Sequence, residues 1–143
     1  MKMSQVLVAV VVLFHTLSLV AAPSLQIGPE TISNDKVVIP IIFSNDGTVI
    51  AMNFDITFDE QTYFPQDFDD NLVQQVSVSN KKPGVLTILI TPPLTTPFPV
   101  IESGSIFDIS FKRKQNSKGL LLLIGKVVMS NSSGKSVKSE VLK

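Results

Sequence analysis

In the stretch VIAMNFDITFDE, residues 49–60, Met52, Phe54, Ile56 and Phe58 alternate strictly with Ala51, Asn53, Asp55 and Thr57. A period of two is the repeat of an extended strand, so one face of this segment is expected to be buried and the other, small and polar, left to water. The same pattern recurs along the chain. Short β-rich runs are predicted at 24–28, 36–44, 49–58, 72–79, 85–91, 104–114, 120–130 and 135–140, and no run has the period and length of an amphipathic helix. The separators SNDG, NKKPG, QNSKG and SNSSG combine Gly with Asn, Ser or Asp, as turns require. The pattern therefore predicts an all-β chain folded as a β-sandwich.

Two proline features refine this reading. Pro40 lies inside KVVIPIIF and has no N–H for a sheet ladder, so it is expected at an edge, at a bulge or where a strand changes sheets. The segment TPPLTTPFP, with Pro92, Pro93, Pro97 and Pro99, reads as one long, stiff loop, because neither flank alone has enough strands for a sandwich.

The first residues follow a different rule. Lys2 precedes an apolar run from Val6 to Phe14, and HTLSLVAA ends in small residues just before Pro23. This is the shape of a secretory signal peptide over residues 1–21, with a single domain over 22–143. His15, Thr16 and Ser18 interrupt a stretch already short for a bilayer span, which favours removal over a retained anchor. Cleavage after Ala21 leaves 143 − 21 = 122 residues and removes Lys2, so 11 basic residues face 12 acidic ones. Near-neutrality argues against nucleic acid as a partner. The tail SEVLK carries no second hydrophobic segment and no basic cluster, so free secretion to the extracellular space, without membrane attachment after cleavage, is expected.

Composition narrows the chemistry. There is no cysteine, and the only histidine, His15, lies in the leader. The domain therefore has no thiolate nucleophile, Ser-His-Asp triad or His-bearing metal site, and it must stand on its core without disulfides. Asp59, Glu60, Asp67, Asp69 and Asp70 fall in DEQTYFPQDFDD, which reads as a solvated acidic loop rather than as a glycosidase carboxylate pair or a calcium loop. No tryptophan is present and Tyr63 is the only tyrosine. Phe54, Phe58, Phe107 and Phe111 take inward positions, while Phe64, Phe68 and Phe98 fall in predicted loops, so a ring-stacking sugar platform is poorly supported. Asn131 in NSS matches a glycosylation pattern but is better read as a turn residue.

The order VVIPIIFSNDGTVIAMNFDITFDE, KKPGVLTILI, GSIFDISFKRK and VVMSNSSGKSV resembles the cohesin domain over nearly the whole mature chain. The landmarks are Ile39-Pro40-Ile41, Phe58-Asp59, Pro83-Gly84 and the run from Gly104 to Phe111. The resemblance implies a jelly-roll-like sandwich, related to carbohydrate-binding-module sandwiches, that binds a dockerin module on another secreted protein, often a polysaccharide-degrading enzyme. It implies no catalytic role and no metal or other cofactor on this chain, calcium belonging to the dockerin. It also implies one docking face drawn from the strands at 49–58, 72–79, 85–91 and 104–114.

Strand parity then selects the outward candidates for partner binding: Ala51, Asn53, Asp55 and Thr57; Gln75, Ser77 and Ser79; Thr87 and Leu89; Asp108 and Ser110. Family members often carry Asn and Asp where this chain has Ala51 and Asn53, a departure from the usual dockerin-binding pattern. The alternative function is a carbohydrate-binding module of the same superfamily, with polysaccharide as partner, and a third reading is a structural domain or one with a non-dockerin ligand.

Overall fold

The structure, a computed structural model, describes residues 21–114 and 122–143. The leader expected over 1–21 lies outside the described residues except for Ala21, as does the expected strand start at Leu120. The described residues form eleven strands and no helix: β1 Ser24–Ile27, β2 Thr31–Ser33, β3 Lys36–Ser44, β4 Val49–Thr57, β5 Tyr63–Asp70, β6 Gln75–Lys82, β7 Val85–Thr91, β8 Gly104–Arg113, β9 Leu123–Asn131, β10 Ser136–Val137 and β11 Glu140–Leu142. One sheet has the order β11-β1-β3-β8-β5, with β2 also pairing with β3, and the other has the order β10-β9-β4-β7-β6. This is the predicted β-sandwich.

Alternation builds the core. Ile39, Ile41 and Phe43 of β3 and Phe107, Ile109 and Phe111 of β8 point inward from the first sheet. Met52, Phe54 and Ile56 of β4 meet them with Leu86, Ile88 and Ile90 of β7 from the second. Burying side chains of this size is worth about 1.5–3 kcal/mol each. Phe111 lies against Phe58 at 5.4 Å between ring centroids and edge-on to Tyr63 at 6.2 Å. Tyr63, only 2% exposed, is thus a core residue.

Pro40 sits where its missing donor does no harm. β3 pairs with β2 up to Val38 and with β1 from Ile41 onward, so Pro40 lies at the gap between these neighbours. Its carbonyl oxygen accepts from Gly28 N at 2.8 Å, and a bulge against β8 follows at Ile41/Ile42. Gly28 is required there, since a Cβ would stand 2.7 Å from the Pro40 ring. In the β6–β7 hairpin, Lys82 pairs with Val85 across Pro83-Gly84, and Gly84 takes φ +68°. Proline then glycine is the sequence demanded by a two-residue turn with only its second residue left-handed.

The long loop is as expected, running over 92–103 between β7 in one sheet and β8 in the other. It is held by one backbone bond, from Ile101 N to Val49 O at 2.9 Å, and by side chains. The Asn45 amide donates to the carbonyls of Val49 and Ile101, its oxygen accepts from Gly47 N and Val49 N, and buried Gln74 donates to Pro99 O.

Several expectations need correction. DEQTYFPQDFDD is largely strand β5, because one side of it pairs with β8. Pro65 and a bulge before Asp67 break its alternation, and its acidic residues suit an open sheet edge. Phe64 and Phe68 accordingly lie on β5, not in loops. The run expected at 72–79 forms strand three residues later, as β6. The run expected at 135–140 divides into β10 and β11, which join different sheets. β2, only three residues long, was not foreseen. Asn131 ends β9, and its side chain accepts from Ser133 N and Lys135 N, a turn role as read from the sequence.

Candidate functional site

The outer face of the sheet β10-β9-β4-β7-β6 gathers most of the outward residues foretold by parity. On β4, Ala51, Asn53, Asp55 and Thr57 are partly or fully exposed between the buried Met52, Phe54 and Ile56. On β7, Thr87 and Leu89 face the same way between Leu86, Ile88 and Ile90. Gln75, Ser77 and Ser79 of β6 complete that side. Register places Asn53 opposite Leu89, and Leu89 opposite Ser77; Asp55 stands opposite Thr87, and Thr87 opposite Ser79.

Asp108 and Ser110 are not part of this face. They point away from the core, as parity requires, but β8 pairs with β3 and β5 in the other sheet. Parity fixes which way a side chain points and says nothing about the sheet its strand joins. The crossover at 92–103 carries β8 to the opposite side of the sandwich. There Asp108 stands opposite Asp69, and Ser110, 7% exposed, stands opposite Asp67.

β9 takes the place assigned to β8. Val128 stands opposite Asn53 and Gly125 opposite Asp55, so Lys126 and Val127 together oppose Phe54. This bulge holds Lys126 at φ 50°, in the left-handed region. Val127 packs against the core while Lys126 is exposed. The signal was present in LIGKVVMS, where a glycine inside a strand pattern marks a bulge.

One part of the face is polar and internally bonded. The Thr87 hydroxyl donates to Asp55 Oδ1 at 2.7 Å, and Lys126 Nζ lies 3.6 Å from Asp55 Oδ2. The Asp55 side chain is only 17% exposed, that of Lys126 77%. Beside this group, Leu89 and Val128, 43% and 52% exposed, flank Asn53 from its two neighbouring strands. A hollow of about 490 Å³ runs across the face, with Asn53, Asp55, Leu89, Lys81, Lys82 and Lys126 among its lining.

This arrangement suits reversible contact better than chemistry. Asp55 is the one carboxylate on the strands of this face, so no acid–base pair is assembled there. Among the described residues no group of three or more His, Cys, Asp or Glu side chains is placed to hold a metal. The aromatic side chain on these strands is Phe54, which is fully buried. Exposed Phe64 and Phe68 lie on β5 in the other sheet, and Phe68 stacks on Phe107 at 5.9 Å.

Comparison with known proteins agrees with this geometry. The sixth cohesin of Acetivibrio cellulolyticus scaffoldin B, solved in complex with a mutant Cel5 dockerin, is 16% identical, with a TM-score of 0.74 over 85% of this chain and 95% of that one. CaCohA2 from Clostridium acetobutylicum is 19% identical, with a TM-score of 0.72 over 85% and 86%. A non-cellulosomal cohesin from the hyperthermophilic archaeon Archaeoglobus fulgidus is 15% identical, with a TM-score of 0.66 over 85% and 86%. No curated protein matches the sequence. At such identities the structures share the fold, while the family model for the cohesin domain matches residues 28–142 of the sequence itself. The chain belongs to the cohesin domain family, whose members are non-catalytic protein-interaction modules.

Proposed function

We propose that the chain is a secreted docking module that binds dockerin modules carried by other secreted proteins, polysaccharide-degrading enzymes among them. The contact surface is the outer face of β10-β9-β4-β7-β6. The observation that carries this reading is the pairing of Leu89 and Val128 across Asn53 in a field of small polar side chains. Apolar anchors at the centre of a patch with a polar rim are the anatomy of a specific, reversible protein interface. Family membership supports dockerin as the class of partner, as does the solution of a similar cohesin with its dockerin. Ala51, small and partly exposed, leaves room beside Asn53 for a partner side chain.

Isothermal titration with a panel of dockerin modules tests the reading: saturable, 1:1 binding by at least one member is expected, and no binding across the panel refutes it. Secretion rests on the leader at residues 1–21 and is tested by sequencing the N-terminus of exported protein, expected to begin at Ala22. The burial of Tyr63 weighs against the carbohydrate-binding alternative.

A further inference from the structure

The near-zero net charge of the chain conceals a separation between its two sheets. The strands β4, β6, β7, β9 and β10 carry Lys81, Lys82 and Lys126 against Asp55 alone, three bases to one acid. The strands of the other sheet carry Asp67, Asp69, Asp70, Asp108 and Glu140 against Lys36, Lys112 and Arg113, five acids to three bases. Of the loop charges, Glu60 lies with Lys81 beside an adjoining hollow beyond the β6–β7 hairpin.

The three lysines are also gathered. Lys81 and Lys82 stand where β6 bulges against β7, between Ser79 and Lys82, and line the same hollow as Lys126 and Leu89. Lys126 is turned out to that hollow by its own bulge on β9. Its link to Asp55 is long, at 3.6 Å, and most of its side chain is in water, so it can exchange that carboxylate for one on a partner. Asp55 is already served by the Thr87 hydroxyl and is mostly buried, which leaves it little capacity to receive a partner's cation.

Resting on the docking function above, we propose that the partner surface seated here is acidic: an apolar side chain set against Leu89 and Val128, with Asp or Glu carboxylates reaching Lys81, Lys82 and Lys126. Charge complementarity of this kind sets association rate and partner choice more than it adds affinity. A dockerin presenting lysine or arginine at the same positions is thereby rejected.

The test is selection from a displayed dockerin library randomised at its surface positions, using the chain from Ala22 to its last residue as bait. Enrichment of Asp and Glu is expected. Against the triple variant Lys81→Glu, Lys82→Glu, Lys126→Glu, the selected dockerins should associate about tenfold more slowly or worse at low salt, with the difference shrinking at about 0.5 M salt. A thermal melt of the triple variant, expected near that of the parent, keeps a folding defect from imitating this result. Selected binders that are rich in Lys or Arg, or indifferent to the triple variant, yet weakened by Leu89→Gln, overturn the charge assignment and leave the docking function standing. Failure to select any binder sensitive to Leu89→Gln overturns the docking function and the charge assignment with it.

Discussion

Replacing Leu89 with Gln separates docking from folding. Leu89 is 43% exposed in the free domain, leaving about 75 Å² of surface for a partner to cover, which at about 25 cal/mol per Å² corresponds to about 2 kcal/mol. Gln keeps the length of the side chain and the charge of the face, so the variant removes apolar burial without disturbing the lysine pattern. Its methylene stem can still lie over the neighbours that cover the rest of Leu89, and exposed substitutions of this type change stability by about 0.5 kcal/mol or less. Dockerin binding should weaken by about thirtyfold while the melting temperature moves by only a few degrees. Calorimetric titration and a melt on the same preparation read both quantities. Unchanged binding with an unchanged melt would remove Leu89 from the docking surface, and a collapsed melt would show that the side chain supports the fold.

Three further expectations follow from the geometry. Asp55→Ala deprives the Thr87 hydroxyl of a charged acceptor in a mostly buried position and should cost about 1.5–3 kcal/mol in urea denaturation, whereas Lys126→Ala, at a mostly exposed partner, should cost about 0.5 kcal/mol or less. Hydrogen bonds from the Thr62 hydroxyl and then Gln61 N, with Lys114 nearby, hold the Asp59 carboxyl below its ordinary value of 3.8. A depressed folded-state pKa contributes stability that is present above the unfolded value and lost as pH falls through the folded one, so Thr62→Val should flatten the loss of stability below that value when urea midpoints are compared across acid pH. Gly84→Ala should destabilise the β6–β7 hairpin by about 1 kcal/mol or more, measured by thermal melt, because the added Cβ meets Phe58 O at 2.8 Å and the residue sits at φ +68°.

The sandwich was readable because β4 alternates from Ala51 to Thr57 and Leu86, Ile88 and Ile90 of β7 share one parity, so these strands declare their buried side. Met52, Phe54, Ile56, Leu86, Ile88 and Ile90 are all buried, and Asn53, Thr57 and Leu89 are exposed, as parity requires. What escaped was set by long-range pairing. β5 has too many acids and an internal proline to read as a strand, yet the ladder of β8 holds it in one. The intervals from Ile124 to Val127 and from Val127 to Met129 are three and two residues, so β9 reads as irregular until its bulge at Lys126 is seen. The grouping of Asp108 and Ser110 with the outward residues of β4, β6 and β7 failed for a different reason: their direction is local, while their sheet depends on where a twelve-residue loop delivers the chain.

That loop also makes the domain a scaffold for grafting. Its anchors, Asn45, Gln74 and Ser103, hold Ile101, Pro99 and Asn45 N, and none of them reaches its crest. At the crest Leu94 is 99% exposed. A foreign peptide opened in between Leu94 and Thr95 interrupts no strand pairing, and lengthening a loop already closed at both ends adds only about 0.6 kcal/mol of closure entropy for each doubling. An epitope or a second binding segment can therefore be displayed from this edge while both sheets, and the face with Leu89, keep their register.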